Sequence, residues 1–164
     1  MIPFLDLKKI NKRHKDQLSN VFNEVLDSGW FIQGQHLRSF EDDFATYCGV
    51  KHCIGVANGL DALTLILRAW KELGILKDGD EVLVPANTYI ASILAITENR
   101  LVPILMEPDP VTLNINPNNI TKFINSKTKV ILPVHLYGRL APMQQIMNIA
   151  IKHNLLVLED AAQS

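Results

Sequence analysis

The chain changes character close to residue 50. Before that point apolar residues recur at helical spacing. Leu18, Val21, Phe22, Val25 and Leu26 mark one face of a helix that Ser28-Gly29 ends, and Phe40, Phe44 and Tyr47 mark a second, short helix after the loop Trp30 to Gly34. Beyond it, five short apolar runs, at 52–57, 81–85, 101–106, 129–133 and 155–159, alternate with helical segments at 60–73, 89–97, 118–124 and 143–153. Strand alternating with helix predicts βαβ units and a mostly parallel sheet, an α/β fold. Runs apolar on both faces predict strands covered by helices on both sides. Right-handed crossovers then bring every strand-to-helix loop to one edge of the sheet.

Composition narrows the classes. With 164 residues, 48% hydrophobic and 20% charged, the chain has the make-up of a globular protein that buries a core. A formal net charge of −1 gives no electrostatic case for nucleic acid or an anionic membrane surface. No apolar stretch reaches the roughly 18 residues of a membrane span. Met1 to Leu7 has no basic leader ahead of an apolar run, so no signal peptide is expected and a cytoplasmic location is. The cluster Lys8, Lys9, Lys12, Arg13 and Lys15 reads as a solvated helix face. Cys48 and Cys53, the two cysteines, read as buried or idle thiols in a reducing compartment.

The loops expected at the chemical edge are Asn58-Gly59-Leu60-Asp61, Ala86-Asn87-Thr88-Tyr89, Glu107-Pro108-Asp109, His135-Leu136-Tyr137-Gly138 and Asp160-Ala161-Ala162-Gln163. Asn58-Gly59 opens a helix, where free amides suit a phosphate; a plain turn with an N-cap gives the same pattern. Tyr89 is placed to lie flat on a heteroaromatic ring or to be a core tyrosine. His135 and Tyr137 are acid–base groups or polar anchors of their loop. Asp160 ends a hydrophobic strand, so its carboxylate needs a partner. A protonated pyridine nitrogen is one partner and a following helix N-terminus another. No GxGxxG or GxxxxGK[ST] occurs, which argues against a nicotinamide or nucleotide-hydrolysing domain.

Together these segments resemble the N-terminal part of a PLP-dependent nucleotide-sugar aminotransferase, of the fold-type I group. The resemblance is carried by Ile2-Pro3-Phe4-Leu5-Asp6-Leu7, the loop 28–34, the run 55–63, Gly79-Asp80-Glu81-Val82, the run 84–89, the run 133–138 and Glu159-Asp160-Ala161-Ala162-Gln163-Ser164, in family order. It implies residues 1–50 as an N-terminal helical segment, 51–164 as part of the cofactor-binding large domain, and no small C-terminal domain in these 164 residues. It implies pyridoxal 5′-phosphate (PLP) as cofactor. Gly59 and Leu60 would hold the phosphate through backbone amides, Tyr89 and Ala162 would flank the ring, Asp160 would pair with the ring nitrogen, and Gln163 would bond the 3-hydroxyl oxygen. Trp30, Gly34 and Tyr137 would border the sugar.

The variants at 58–61 and 86–92 look most like transaminases of dTDP-linked 3-keto-6-deoxyhexoses, with glutamate as amino donor, a homodimeric assembly and a place in surface-polysaccharide biosynthesis. Many relatives have Ser-Gly-Thr where this chain has Asn58-Gly59-Leu60, so Leu60 offers only its amide. The family's Schiff-base lysine would lie beyond residue 164, and none of the eleven lysines present occupies its position. No catalytic residue is therefore assigned, and the 164-residue chain is expected to be inactive alone. The alternatives are a non-catalytic fragment with an open, apolar sheet edge, or a lysine-less sugar dehydratase-like protein using pyridoxamine phosphate.

Overall fold

The structure is a computed structural model that describes residues 3–164; Ile2, part of the first matching segment, lies outside the described residues. The chain divides into two compact units, one up to Gly55 and one spanning Val56–Ser164.

The first unit is helical. Helix α1 (Leu7–Lys12) starts at Asp6, whose carboxylate accepts the Lys9 N–H at 2.9 Å. A break at Arg13 and His14 separates it from α2 (Lys15–Ser28), and α3 (Gln35–Cys48) follows the Trp30 loop. Gly29 and Gly49 end α2 and α3 at φ of 62° and 66°, a left-handed conformation that glycine adopts without steric cost. The second helix is therefore longer than the short one expected.

The second unit is the sheet domain. Its elements are α4 (Gly59–Glu72), β1 (Glu81–Pro85), α5 (Ile90–Glu98), β2 (Val102–Met106), α6 (Pro117–Phe123), β3 (Thr128–Ile131), α7 (Met143–His153) and β4 (Leu156–Val157). The sheet has four parallel strands in the order β2-β1-β3-β4. The expected strand at 52–57 does not form. An apolar run becomes a strand only where a neighbour takes up its backbone groups, and no described strand pairs with it. Ile54 accordingly stays 79% exposed.

Alternation along the central strands builds the core on both faces. Val82, Val84, Val130 and Leu132 point to one side and pack with Leu63 and Leu67 of α4 and Ala95 and Ile96 of α5. Leu83 and Ile131 point to the other and pack with Ile120 of α6 and Ile146 and Ala150 of α7. The connection from β1 leads to β2 on one side, and the chain then crosses to β3 on the other. The carboxyl ends of β1 and β3 therefore flank the point where strand order reverses, which is where open α/β sheets hold ligands.

Ile131 is fully buried between β1, α6 and α7, whereas Leu105 on the edge strand β2 is 55% exposed. Ile131→Ala is expected to cost about 2–5 kcal/mol in urea unfolding, through lost transfer energy and a residual cavity. Leu105→Ala is expected to stay within about 0.5 kcal/mol of the parent. Equal losses at the two positions would contradict this core assignment.

Candidate functional site

A cavity of about 330 Å³ opens at the strand-order reversal, and its lining includes Asn58, Gly59, Leu60, Thr88, Tyr89, Val134, Asp160, Ala162 and Gln163. All six residues singled out for a cofactor are among them. No lysine is.

The wall from α4 is a helix N-terminus. Asn58 is its N-cap: the side-chain Oδ1 accepts the Asp61 N–H at 2.9 Å, and Nδ2 donates to the Asp61 carboxylate at 3.0 Å. The Asp61 amide is thereby used, while among the described residues nothing accepts from the Gly59 and Leu60 amides. A Cβ on Gly59 would stand 3.9 Å from that of Ala162, so the two backbones approach closely across the cavity floor. The arrangement serves both readings of Asn58-Gly59, since the cap and the free amides coexist.

The wall from β1 carries Tyr89, the residue before α5. It is 72% exposed, so the core-tyrosine reading does not hold and its ring faces solvent at the cavity.

The third wall comes from β3 and the segment after β4. Val134 and Asp160 form a parallel bridge, with His135 N–H donating to Asp160 O at 3.0 Å and Asp160 N–H to Pro133 O at 2.9 Å. The half-buried Asp160 carboxylate accepts the Ala162 N–H on Oδ1 at 3.2 Å and the Ser92 hydroxyl on Oδ2 at 2.7 Å. Gln163 Oε1 accepts the Tyr137 N–H at 2.7 Å, which fixes the amide's orientation and leaves Nε2 as a free donor.

The neighbouring loop is tied down by buried polar groups. His135, 2% exposed, accepts the Ala141 N–H on Nδ1 at 3.1 Å, so its proton sits on Nε2, which donates to Glu159 at 2.8 Å. Buried Asn114 accepts the Leu136 N–H and donates to Arg139 O. His135 is thus an anchor of its loop. Tyr137 holds φ 55° and ψ 28°, is 77% exposed, and reaches Gln163 through its backbone; it is not part of the cavity lining.

Asp109, in another loop at this edge, caps its own turn. The amides of Thr112 and Val111 hydrogen-bonded to its carboxylate hold it below the usual carboxylate range. Trp30 and Gly34 lie in the first unit, where they line a cavity of about 380 Å³ with Phe31, Gln33 and His36. There Trp30 Nε1 donates to Ile32 O at 2.7 Å, and the Arg38 guanidinium stands 5.9 Å from the indole centroid.

Sequence reasoning assigned no role to Ser92, Thr88, Asn114 or Glu159. Ser92 carried a legible signal, because it interrupts the apolar run Ile90 to Ile96 at a position facing the core, and a buried hydroxyl must find a partner. Asn114 carried none, because its partners lie 22 and 25 residues away.

Comparison with known proteins decides the family. Residues 12–164 match the DegT/DnrJ/EryC1/StrS aminotransferase family. The chain belongs to this family. It is 56% identical, over its whole length, to the dTDP-3-amino-3,6-dideoxy-alpha-D-galactopyranose transaminase of Aneurinibacillus thermoaerophilus, of which it covers 44%. It is 42% identical over 163 residues to the dTDP-3-amino-3,4,6-trideoxy-alpha-D-glucose transaminase of Streptomyces venezuelae, covering 42% of it. Among solved structures it superposes with a TM-score of 0.92 on NtdA of Bacillus subtilis, which carries bound PMP, at 37% identity, covering 99% of this chain and 37% of that one. The parallel α/β architecture is therefore that of the aminotransferase family, and the chain spans less than half the length of these relatives.

Removing the Asn114 side chain leaves the buried Leu136 N–H without its partner and frees the part-buried Arg139 carbonyl. Asn114→Ala is expected to cost about 1–3 kcal/mol and to speed hydrogen exchange at Leu136. Unchanged exchange at that amide would show that the loop is held by other means.

Proposed function

We propose that the cavity binds PLP, and that the chain carries the cofactor-binding part of a transaminase acting on a nucleotide-linked keto-deoxysugar. One observation carries this reading: the walls of a single cavity present complementary groups for four parts of one molecule. The free amides of Gly59 and Leu60, at the positive end of the α4 dipole, suit a phosphate. The exposed Tyr89 ring suits one face of a flat heteroaromatic, with Ala162 on the other. The Asp160 carboxylate suits a protonated ring nitrogen, and the free Nε2 of Gln163 suits an acceptor oxygen at the ring's 3-position. When bound, PLP supplies an electron sink, and a carboxylate at its ring nitrogen strengthens that sink. Asp160 would hold the ring-nitrogen proton, Tyr89 would exclude water from one ring face, and Asn58 would keep the α4 N-terminus in place.

Within this reading the sugar is a dTDP-linked 3-keto-6-deoxyhexose, supported by the names of the two transaminases above, and glutamate would be the donor. Trp30, Gly34 and Tyr137 would border it. The working enzyme would be a cytoplasmic homodimer serving polysaccharide biosynthesis. No helix of the described residues is long and apolar enough to cross a membrane. Because no lysine lines the cavity, these 164 residues would hold PLP reversibly and would not transaminate.

Equilibrium dialysis of the 164-residue chain tests this. PLP is expected to bind saturably, and pyridoxal, which lacks the phosphate, roughly ten- to a hundredfold more weakly, the worth of one to two charge-assisted hydrogen bonds. Borohydride is expected to fix no cofactor to the chain. Equal affinity for PLP and pyridoxal would rule out the phosphate site, and irreversible fixation at one lysine would overturn the lysine argument.

A further inference from the structure

The Asp160 carboxylate is reached from the β1–α5 wall of the cavity by a short chain of hydroxyls. Ser92 donates to Asp160 Oδ2 at 2.7 Å, although the two residues are 68 apart in sequence. Thr88 and Ser92 share a hydrogen bond of 2.7 Å between their side-chain oxygens. Its direction follows from counting protons. A carboxylate oxygen only accepts, so the single Ser92 hydroxyl proton points to Asp160, and the Thr88 hydroxyl must donate to Ser92. The chain Thr88 to Ser92 to Asp160 is therefore one-way, and each link has its partner within 2.7 Å.

Burial makes the chain consequential. Ser92 is fully buried, in the first turn of α5, between a cavity wall and the core. Its hydroxyl has no water to turn to, so it holds one rotamer. Asp160 meanwhile receives the Ala162 amide on its other oxygen at 3.2 Å. A donor on each oxygen fixes the plane of the carboxylate and leaves the remaining lone pairs towards the cavity that Asp160 lines. The helix that carries Ser92 also carries Tyr89 at its N-terminal boundary. One rigid element thus sets both the aromatic face and the orientation of the carboxylate.

We propose that Ser92, with Thr88 as its donor, is a positioning residue that aims Asp160 at the ring nitrogen of the bound cofactor. Its role rests on the reading above, in which Asp160 meets that nitrogen. Ser92 touches no cofactor atom in this scheme. It acts through Asp160 alone, so its removal alters the ring-nitrogen bond and leaves the phosphate contact at Gly59 and Leu60 in place.

The test follows PLP labelled with 15N at the ring nitrogen, bound to the 164-residue chain at neutral pH, by the nitrogen chemical shift and by the dissociation constant. The parent protein is expected to show a pyridinium-like shift. Ser92→Ala is expected to move that shift towards the unprotonated value and to weaken binding by about tenfold, the loss of one hydrogen bond to a charged group. Ser92→Thr keeps the hydroxyl and is expected to restore both. Thr88→Val leaves Ser92 in place and is expected to move the shift in the same direction by less, which keeps the proposal testable should Ser92→Ala fold poorly. Asp160→Asn separates the two levels of the argument. If it abolishes the pyridinium shift while Ser92→Ala and Thr88→Val leave the shift at the parent value, the positioning role is wrong and the cofactor reading stands. If Asp160→Asn leaves the shift unchanged, or the parent chain does not bind PLP, the cofactor reading falls and this proposal falls with it.

Discussion

A parallel pairing one residue wide holds the site together. The segment after β4 joins the end of β3 through the Val134–Asp160 bridge, with the Asp160 amide on Pro133 and the His135 amide on Asp160. These two backbone bonds carry Asp160 to the carboxyl end of the sheet, beside the strand-order reversal. The carboxylate then has a fixed origin from which Ser92 and Ala162 can set its direction. Without this pairing the Gln163 amide would also lose its hold on the Tyr137 backbone, since both belong to the same short segment. The buried strands β1 and β3 supply the rigidity behind it, because Val82, Leu83, Val84, Val130 and Ile131 are fully enclosed.

The site is informative through what its polar groups already do. Asn58, Asn114, His135 and Glu159 are engaged in holding loops, and the Ser92 hydroxyl is committed to Asp160. Among the described residues the groups left open at the cavity are two helix-terminal amides, one aromatic face, the carboxylate's remaining lone pairs and one amide donor. In the proposed function these groups would meet a phosphate, a ring, a cationic nitrogen and an acceptor oxygen of one ligand. The proposed cofactor is consistent with membership of the aminotransferase family.

The sheet was legible because its strands are buried on both faces and so read as unbroken apolar runs, as at 81–85 and 129–133. The run at 52–57 is also largely apolar and misled, since apolar character does not tell whether a neighbouring strand exists. The break between α1 and α2 at His14 was also not legible, because neither proline nor glycine marks it. At the site, Gly59, Tyr89, Asp160 and Gln163 were found from their places at strand ends and from the resemblance. Their supports at Ser92, Asn114 and Glu159 were not, because each works through a partner at least 22 residues away, a separation that periodicity does not encode.

Amide chemical-shift mapping tests most directly whether one ligand engages all these walls together. Adding PLP to the uniformly 15N-labelled chain is predicted to shift the amides of Gly59, Leu60, Tyr89, Ala162 and Gln163 along a single saturation curve. Shifts confined to the lysine-rich segment of α1 and α2, or separate curves for the α4 terminus and the Asp160 segment, would contradict it.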